Sequence, residues 1–459
     1  MSQTLALRPP VPEPPTADLP WHRAIAVFRT IALAAWSAAA YDEEIQIRQF
    51  FGRRRLLVNS AAAIRHVLVD NPANYRRTPA TVRILRPIIG NGLFLSAGED
   101  WKHQRRTVAP AFAPRTIPVI ARHVATAAAE ATGALAGAAA AGPVDLFAAM
   151  QHLALEIAGR SMFSLETRQH GAGLRARLVR YGQWLGRPYL LDLLLPLAIP
   201  APHDLPRALF RPGWMRLIDR LIAERRAQPA EDAPRDLFDL LAAARDPETG
   251  AAFSAAQLRD QVATMIVAGH ETTAVTLFWS LWLLASAPAE QDKVAAEVAG
   301  LDLGPEGAAD ALPLLAHTRA VVSEALRLYP PAFVLVREAI GRDVVGGAAV
   351  APGNLIMVAP WVLHRHRLLW RDPAAFDPSR FLPGAPPIDR FAYLPFGVGP
   401  RVCVGAQFAL TEATLVLATL VQAFRLAVDG RRPVLPVGVI TTQPDHAPAF
   451  TVAPRGERP

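Results

Sequence analysis

A mainly α-helical fold with small β-sheets, in one large domain, is what the sequence predicts, and three observations predict it. Helical patterning runs almost unbroken from Asp100 to about Ala244. A second helical run opens at Ser254, whose partner Gln257 completes a capping box, and meets no breaker before Pro288. At about 1.5 Å per residue that run is roughly 50 Å long, enough to cross a large domain. No repeat and no linker divides the 459 residues, 51% of them hydrophobic, so one core is expected.

The elements follow in order. Residues 1–20, MSQTLALRPPVPEPPTADLP, are Pro-rich, lack the apolar region of a signal peptide and read as a tail, with the folded domain over 21–459. Residues 21–41 read as a helix. IQIRQF and RRLLVN alternate as a strand pair that turns at Phe51 and Gly52. RPYLLDLLLPLAIPAPHDLP, broken by prolines, reads as a mobile loop between helices. VLVREA and AAVAPGNLIMVAP read as short strands, a Pro-rich meander spans Asp372 to Pro387, and one more long helix follows the only cysteine.

That cysteine, Cys403, excludes an internal disulfide, a four-cysteine zinc site and an iron–sulfur cluster within this chain. It is either an inert buried thiol or the chemical centre. Disulfide-free chains are typical of reducing compartments, which points to the cytoplasm. The formal charge is +8, and the basic residues are nearly all arginine, Lys102 and Lys293 being the only lysines. No Lys/Arg stripe with interleaved aromatics is present, so nucleic-acid binding is not expected and docking of an acidic protein is the better use of the charge. Ile25 to Ala40 is short and holds Arg29, while the apolar run Val262 to Ala287 is interrupted by His270 and Glu271. A charge at that depth is costly in lipid, so a buried helix with a polar functional break is expected, and no membrane anchor.

The loop around the thiol is FGVGPRVCVG, Phe396 to Gly405, and its three glycines mark a backbone that needs positive φ or a close approach to something flat and bulky. The helix that follows presents its N-terminus to the sulfur, and Arg401 adds a cation; both favour thiolate. This segment resembles the heme-binding loop of the cytochrome P450 family, FxxGxRxCxG, at all five fixed positions. The resemblance implies that Cys403 is the axial ligand of a heme b iron, that Phe396 packs by the sulfur, that Arg401 pairs with a heme propionate and that Gly405 is among the cofactor-binding residues; ligation by thiolate belongs to the family, not to the spacing. The plain alternative is a structural cysteine beside a Gly-rich turn.

Other family segments occur upstream in the expected order. VSEALRLYPP holds Glu324 and Arg327 at helical i, i+3 spacing, and WRDPAAFDPSRF supplies Arg380, which the resemblance joins to them in a buried triad bracing the loop. AGHETT, Ala268 to Thr273, resembles [AG]Gx[DE]T[TS]: Ala268 lets a ligand approach the helix, while Glu271 and Thr272 are an acid and an alcohol able to relay protons. His270 fills the variable position and reads as pocket wall or core. GLFLSAGEDWKHQRRTVAPAF resembles the WxxxR segment, so that Trp101 and Arg105 would bind a propionate, with His103 between them facing the propionate or solvent. Arg337 fits the family's third propionate arginine. His364 and His366 have no third ligand nearby and read as structural.

Together these imply a heme-thiolate monooxygenase that inserts one atom of O2 into an apolar small molecule of terpenoid, fatty-acid or steroid class. Electrons would come from a ferredoxin and its reductase, docking where Arg105, Arg106, Arg390 and Arg401 gather, and the protein would be a monomer. The pocket is expected from the loop Arg77 to Phe94, the region Tyr189 to Ile199, the helix face Ile266 to Thr272, Ala332 to Val336 and the turn Ile440 to Thr442. Rival readings are a peroxide-driven heme-thiolate enzyme, a non-catalytic heme sensor and a cysteine hydrolase.

Overall fold

Ala255–Ser286 forms one helix of 32 residues in the computed structural model, which describes residues 6–17, 19–20, 23, 27, 31–164, 171–228 and 234–456. Its capping box is formed: Ser254 Oγ accepts from Gln257 N at 3.2 Å, and Gln257 Oε1 accepts from Ser254 N at 2.9 Å. The second half of the helix is apolar on every side, and Leu277, Phe278, Trp279, Leu281, Leu283 and Leu284 are fully buried. A helix without a wet face belongs in the middle of a protein. It packs on Leu146–Phe163, Ala316–Leu328 and Ala406–Ala423, while Ile117–Ala141 lies on the last of these.

The strand pair forms as expected, Ile45–Phe50 against Arg53–Val58, with Ile45 opposite Val58. Phe51 and Gly52 both take positive φ, 49° and 75°, the tight hairpin turn that matches strand twist. Leu355–Val358, Leu335–Ala339 and Tyr75–Arg76 complete a five-stranded sheet. Phe424–Val428, Ala449–Pro454 and Val144–Asp145 form a second sheet, and two hairpins remain, one of them Pro436–Gly438 with Thr442–Pro444. The fold is thus mainly helical with small sheets.

Two expectations change. Of the helix expected over 21–41, residues 23 and 27 are helical and the rest up to 30 lie outside the described residues, but its described end is two 3-10 turns, Ala32–Ala35 and Ala38–Tyr41. Trp36 lies between them, extended and buried, and Ala38 N donates to Pro15 O at 3.0 Å instead of to its own turn. The stretch read as a mobile loop contains the short helix Leu190–Leu194 and is pinned by a buried ion pair, Arg207 to both oxygens of Asp192 at 2.8 Å. The N-terminal tail packs too: Leu7 and Val11 touch the core, and Phe376 N donates to Leu7 O at 2.8 Å. Among the described residues two helices, Pro114–Ala141 and Ala406–Ala423, are long and apolar enough to cross a membrane by length and composition; the second is surrounded by other helices of the protein.

Candidate active site

The cysteine loop lies between the meander and Ala406–Ala423, and its shape follows from its glycines. Gly397 and Gly399 take φ of 71° and 78°, and a Cβ on Gly399 would stand 2.1 Å from Leu68 O. Only glycine fits there. Cys403 N donates to Phe396 O at 2.9 Å, which folds the loop back so that the thiol faces a cavity of about 1550 Å³. The accessible surface of Cys403 opens onto that cavity, which explains how the sulfur can be reachable and yet desolvated. Burial pushes the thiol up from its usual value, against the Gly405 N–H and Arg105, which pull it down. The cation acting on the sulfur is therefore Arg105 and not Arg401. A bound metal ion would still take the thiolate, since coordination removes the proton.

Arg401 faces the other way along the wall, its Nη2 on Ser96 O at 2.9 Å and its guanidinium 4.5 Å from the Trp101 ring centre. Arg105 Nη1 donates to Val402 O at 2.9 Å and Arg337 Nη1 to Val336 O at 3.0 Å. A fourth arginine, Arg77, lies over the Phe94 ring at 3.6 Å and donates to Phe94 O. All four line the cavity, and among the described residues none has a carboxylate partner. Burial lowers each of them; repulsion from Arg337 and Arg401 adds to the effect on Arg77, and Arg401 is pushed down to about 10. So many desolvated guanidinium groups without a counter-ion require an anion. Heme b, with two carboxylates and an iron that binds sulfur, suits both this cluster and the thiol. Arg77 was expected as one end of a pocket-lining loop but not as a member of this cluster, because its segment carries no motif; only the fold brings it to Arg337 and Arg401.

His103 does not join them. Trp101 and Arg105 are four apart and share a helix face, whereas His103, two residues on, points away. Its Nδ1 meets Asp246 Oδ2 at 2.8 Å, and Arg106 binds the same carboxylate through Nε and Nη2, both at 2.9 Å. The expected propionate role of His103 is corrected accordingly. The expected gathering of Arg105, Arg106, Arg390 and Arg401 at one docking surface is corrected as well: Arg105 and Arg401 face inward, and Arg106 is neutralised by Asp246 and by Glu248 at 3.1 Å.

On the opposite wall, Ala268, Glu271 and Thr272 reach the cavity from the long helix. Thr272 Oγ1 donates to Ala268 O at 2.6 Å. Glu271 Oε1 accepts from Thr441 Oγ1 at 2.9 Å and from Gln443 Nε2, and burial raises its carboxyl while these bonds lower it. Among the described residues no hydrogen bond joins Glu271 to Thr272, so the two line the groove separately. A second acid, Glu412, also lines the cavity. It lies on Ala406–Ala423, accepts from Thr273 Oγ1 at 3.2 Å and is pushed up to about 8 by burial. The sequence signal for it was a single carboxylate within the apolar run FALTEATLVLATLV. His270 is a core residue, its Nε2 on Gln151 O at 3.1 Å and its pKa lowered to about 4 by burial.

Behind the loop, Arg327 binds Glu324 through Nε at 2.6 Å and Nη2 at 2.7 Å, and donates to the carbonyls of His364, Pro373 and Ala375, each at 2.8 Å. Arg380 stands farther off, Nε to Glu324 Oε1 at 3.6 Å. His364 continues the network: Nδ1 meets Arg327 O at 3.1 Å, and Nε2 accepts from Leu394 N at 2.8 Å, two residues before Phe396. His366 Nε2 meets Glu43 O at 3.1 Å, and neither histidine is poised to bind a metal. Among the described residues no histidine is hydrogen-bonded to Cys403, which removes the hydrolase's base.

Comparison with known proteins agrees with this geometry. The family model described as Cytochrome P450 matches residues 43–446. Cyclooctat-9-en-7-ol 5-monooxygenase of Streptomyces melanosporofaciens is 35% identical over 345 residues, 74% of each chain. Pentalenene oxygenase of Streptomyces avermitilis is 32% identical over 364 residues, 78% of each chain. The solved heme domain of cytochrome P450DA superposes with a TM-score of 0.81 at 25% identity, covering 98% of this chain and 99% of that one. Heme with a cysteine thiolate ligand is the cofactor of such proteins, and Cys403 is the only cysteine here. The chain belongs to the cytochrome P450 family and is a heme-thiolate monooxygenase.

Proposed function

We propose that this chain hydroxylates a bulky apolar molecule of the terpenoid class, held over the Cys403 loop. The observation that carries the reading is the cavity: about 1550 Å³ shared between heme and substrate, reached by all five expected segments, with Ile, Leu, Val, Ala and Phe forming about half of a wall that also carries many polar side chains, nine arginines among them. The relatives named for cyclooctat-9-en-7-ol and pentalenene support the terpenoid class over fatty acids or steroids.

The bound heme supplies activation of O2, and the protein's residues supply its setting. Cys403 would hold the heme iron through its thiolate, and Phe396 and Gly405 shape the loop around the sulfur. Trp101, Arg105, Arg337 and Arg401, joined by Arg77, would hold the heme propionates with charge-assisted hydrogen bonds. Ala268 leaves room beside the helix. Thr272 and Glu271 carry protons from the Thr441 and Gln443 side into the cavity. The triad of Glu324, Arg327 and Arg380 braces the loop from behind. Electrons arrive from outside the chain, by our reading from an acidic ferredoxin served by a reductase, to a monomeric protein in the cytoplasm.

The test uses purified protein. The reduced carbon monoxide adduct is expected to show the thiolate-type spectrum. A panel of polycyclic terpenoid hydrocarbons and alcohols is expected to shift the ferric heme to high spin and to be hydroxylated with NAD(P)H, ferredoxin and reductase. Binding of fatty acids or steroids alone would overturn the substrate class. Heme binding without turnover of any bound ligand would favour the sensor.

A further inference from the structure

Helix Gly98–Val108 brings Trp101 and Arg105 to the cavity, yet little apolar contact holds it there. Its sequence, GEDWKHQRRTV, buries one large apolar side chain fully, Val108, beside the polar Gln104 and Thr107. No side chain caps its N-terminus. A helix so polar has no broad buried stripe to fix its rotation, which falls instead to hydrogen bonds and ion pairs. Two sets of contacts supply it. Gln104 faces the long helix, its Oε1 accepting from Ser96 Oγ at 3.1 Å and from Gln261 Nε2 at 2.8 Å. The second set lies behind: at 3.6 residues per turn, His103 and Arg106 project roughly 150° round the axis from Trp101 and Arg105. Both of them close on Asp246.

Asp246 is itself fixed. Its side chain is fully buried, Glu248 N donates to its Oδ1 at 2.9 Å, Asp246 N donates to Ala251 O at 2.9 Å, and Gly250 N donates to Asp246 O at 2.8 Å. Gly250 closes that turn at a φ of 69°. Phe253 meets the His103 ring edge-on at 5.8 Å, and the next residue, Ser254, caps the long helix. The carboxylate therefore refers the rotation of one helix to the start of another. Without it, the ion pair left on the back of Gly98–Val108 among the described residues is that of Arg106 with Glu248, which is 66% exposed. On the front, Arg105 is the cation that acts on the Cys403 sulfur, and its Nη1 donates to Val402 O.

We infer that Asp246 is a positioning residue for heme binding: by clasping His103 and Arg106 it turns Trp101 and Arg105 toward the cavity, and through Arg105 it keeps a cation beside the Cys403 sulfur. This rests on the reading of Trp101 and Arg105 as propionate donors and extends it to a carboxylate that lies outside the cavity wall. A cation near the iron's ligand favours the reduced state, which carries one more electron. Withdrawal of Arg105 therefore lowers the reduction potential, whereas simple loss of the Asp246 charge raises it. The sign of the change separates positioning from direct electrostatics.

The experiment compares holoproteins carrying Asp246→Asn, Arg105→Gln and both, by the midpoint potential of the heme and by the rate of heme transfer to excess apomyoglobin. Asp246→Asn is expected to lower the potential, in the same direction as Arg105→Gln, and to speed heme loss about ten-fold, the usual size of effect for a residue that orients a direct ligand. The double variant should fall no further than Arg105→Gln alone, because the influence of Asp246 passes through Arg105. Glu248→Gln should change neither quantity. If Asp246→Asn does not accumulate as folded protein, His103→Leu opens one arm of the clasp and is expected to move both quantities the same way by less. The inference is overturned if the potential stays or rises in the clasp variant, or if the effects of Asp246→Asn and Arg105→Gln simply add. An Arg105→Gln protein with unchanged potential and heme transfer would sink the propionate role of Arg105 and this inference with it, a failure visible without any Asp246 variant.

Discussion

Glu412 shows at the scale of one residue how burial sets protonation. Its carboxyl is pushed from the ordinary 4.5 up to about 8, with only the Thr273 hydroxyl to oppose desolvation. Raised this way, the folded protein binds a proton that the unfolded chain releases above about pH 4.5, so the site costs stability as pH rises from there toward 8. At pH 7 the penalty is on the order of 3 kcal/mol. Glu412→Gln keeps the acceptor for Thr273 and removes the ionisation. The variant is therefore expected to melt higher than the wild type at pH 7.5 and equally at pH 5, read by circular dichroism; a gap independent of pH would refute the shifted carboxyl. Thr272 permits a second prediction. Thr272→Ala should leave the carbon monoxide spectrum unchanged, yet divert most consumed NAD(P)H to hydrogen peroxide, because the hydroxyl at the cavity wall is lost. Full coupling in that variant would remove Thr272 from the relay.

At the scale of elements, the network behind the cysteine loop joins a helix, a short turn and the meander through buried polar atoms. Glu324 and Arg327 are 0% exposed, whereas Arg380 touches the pair at 3.6 Å. Removing one partner of a fully buried pair leaves an unpaired charge and costs about 3–5 kcal/mol. Arg327→Ala also releases three backbone carbonyls and is expected to yield protein with little or no heme. Arg380→Leu should retain most of it, read as heme per polypeptide in the pyridine hemochrome assay; equal losses would mean that Arg380 matters as much as Arg327. Much at this scale was legible beforehand. The Phe51–Gly52 turn, the Ser254–Gln257 capping box and the i, i+3 pair are local patterns whose physics acts within a few residues. What could not be read depends on contacts distant in sequence: Asp192 with Arg207, Ala38 with Pro15, Arg77 with Arg337 and Arg401. Of the two placements expected for His103, toward a propionate or away from it, the helical phase from Trp101 favours the second, but Asp246, which holds it there, lies 143 residues away.

At the scale of the whole molecule, the surplus of +8 must be divided between interior and surface. Arg77, Arg105, Arg337 and Arg401 are spent inside the cavity, and Arg106 is bound to Asp246 and Glu248. Arg106→Glu should therefore act as a folding mutation, opposing Asp246, and not as a docking mutation. The surface field near the cysteine loop falls to exposed cations beside it. Arg390 lies by Phe391 on the segment leading into the loop, and Arg115 lies three residues beyond Phe112, whose ring meets Phe408 of Ala406–Ala423 at 6.2 Å. An acidic ferredoxin steered to that side is attracted more strongly at low ionic strength, where screening is weak. The double reversal Arg115→Glu with Arg390→Glu is accordingly expected to slow first-electron transfer from reduced ferredoxin ten-fold or more at 20 mM salt, and to flatten its dependence on salt between 20 and 300 mM. Reduction by dithionite, which needs no docking, should be unchanged. If stopped-flow rates with ferredoxin and their salt slope match the wild type, the partner approaches from another side.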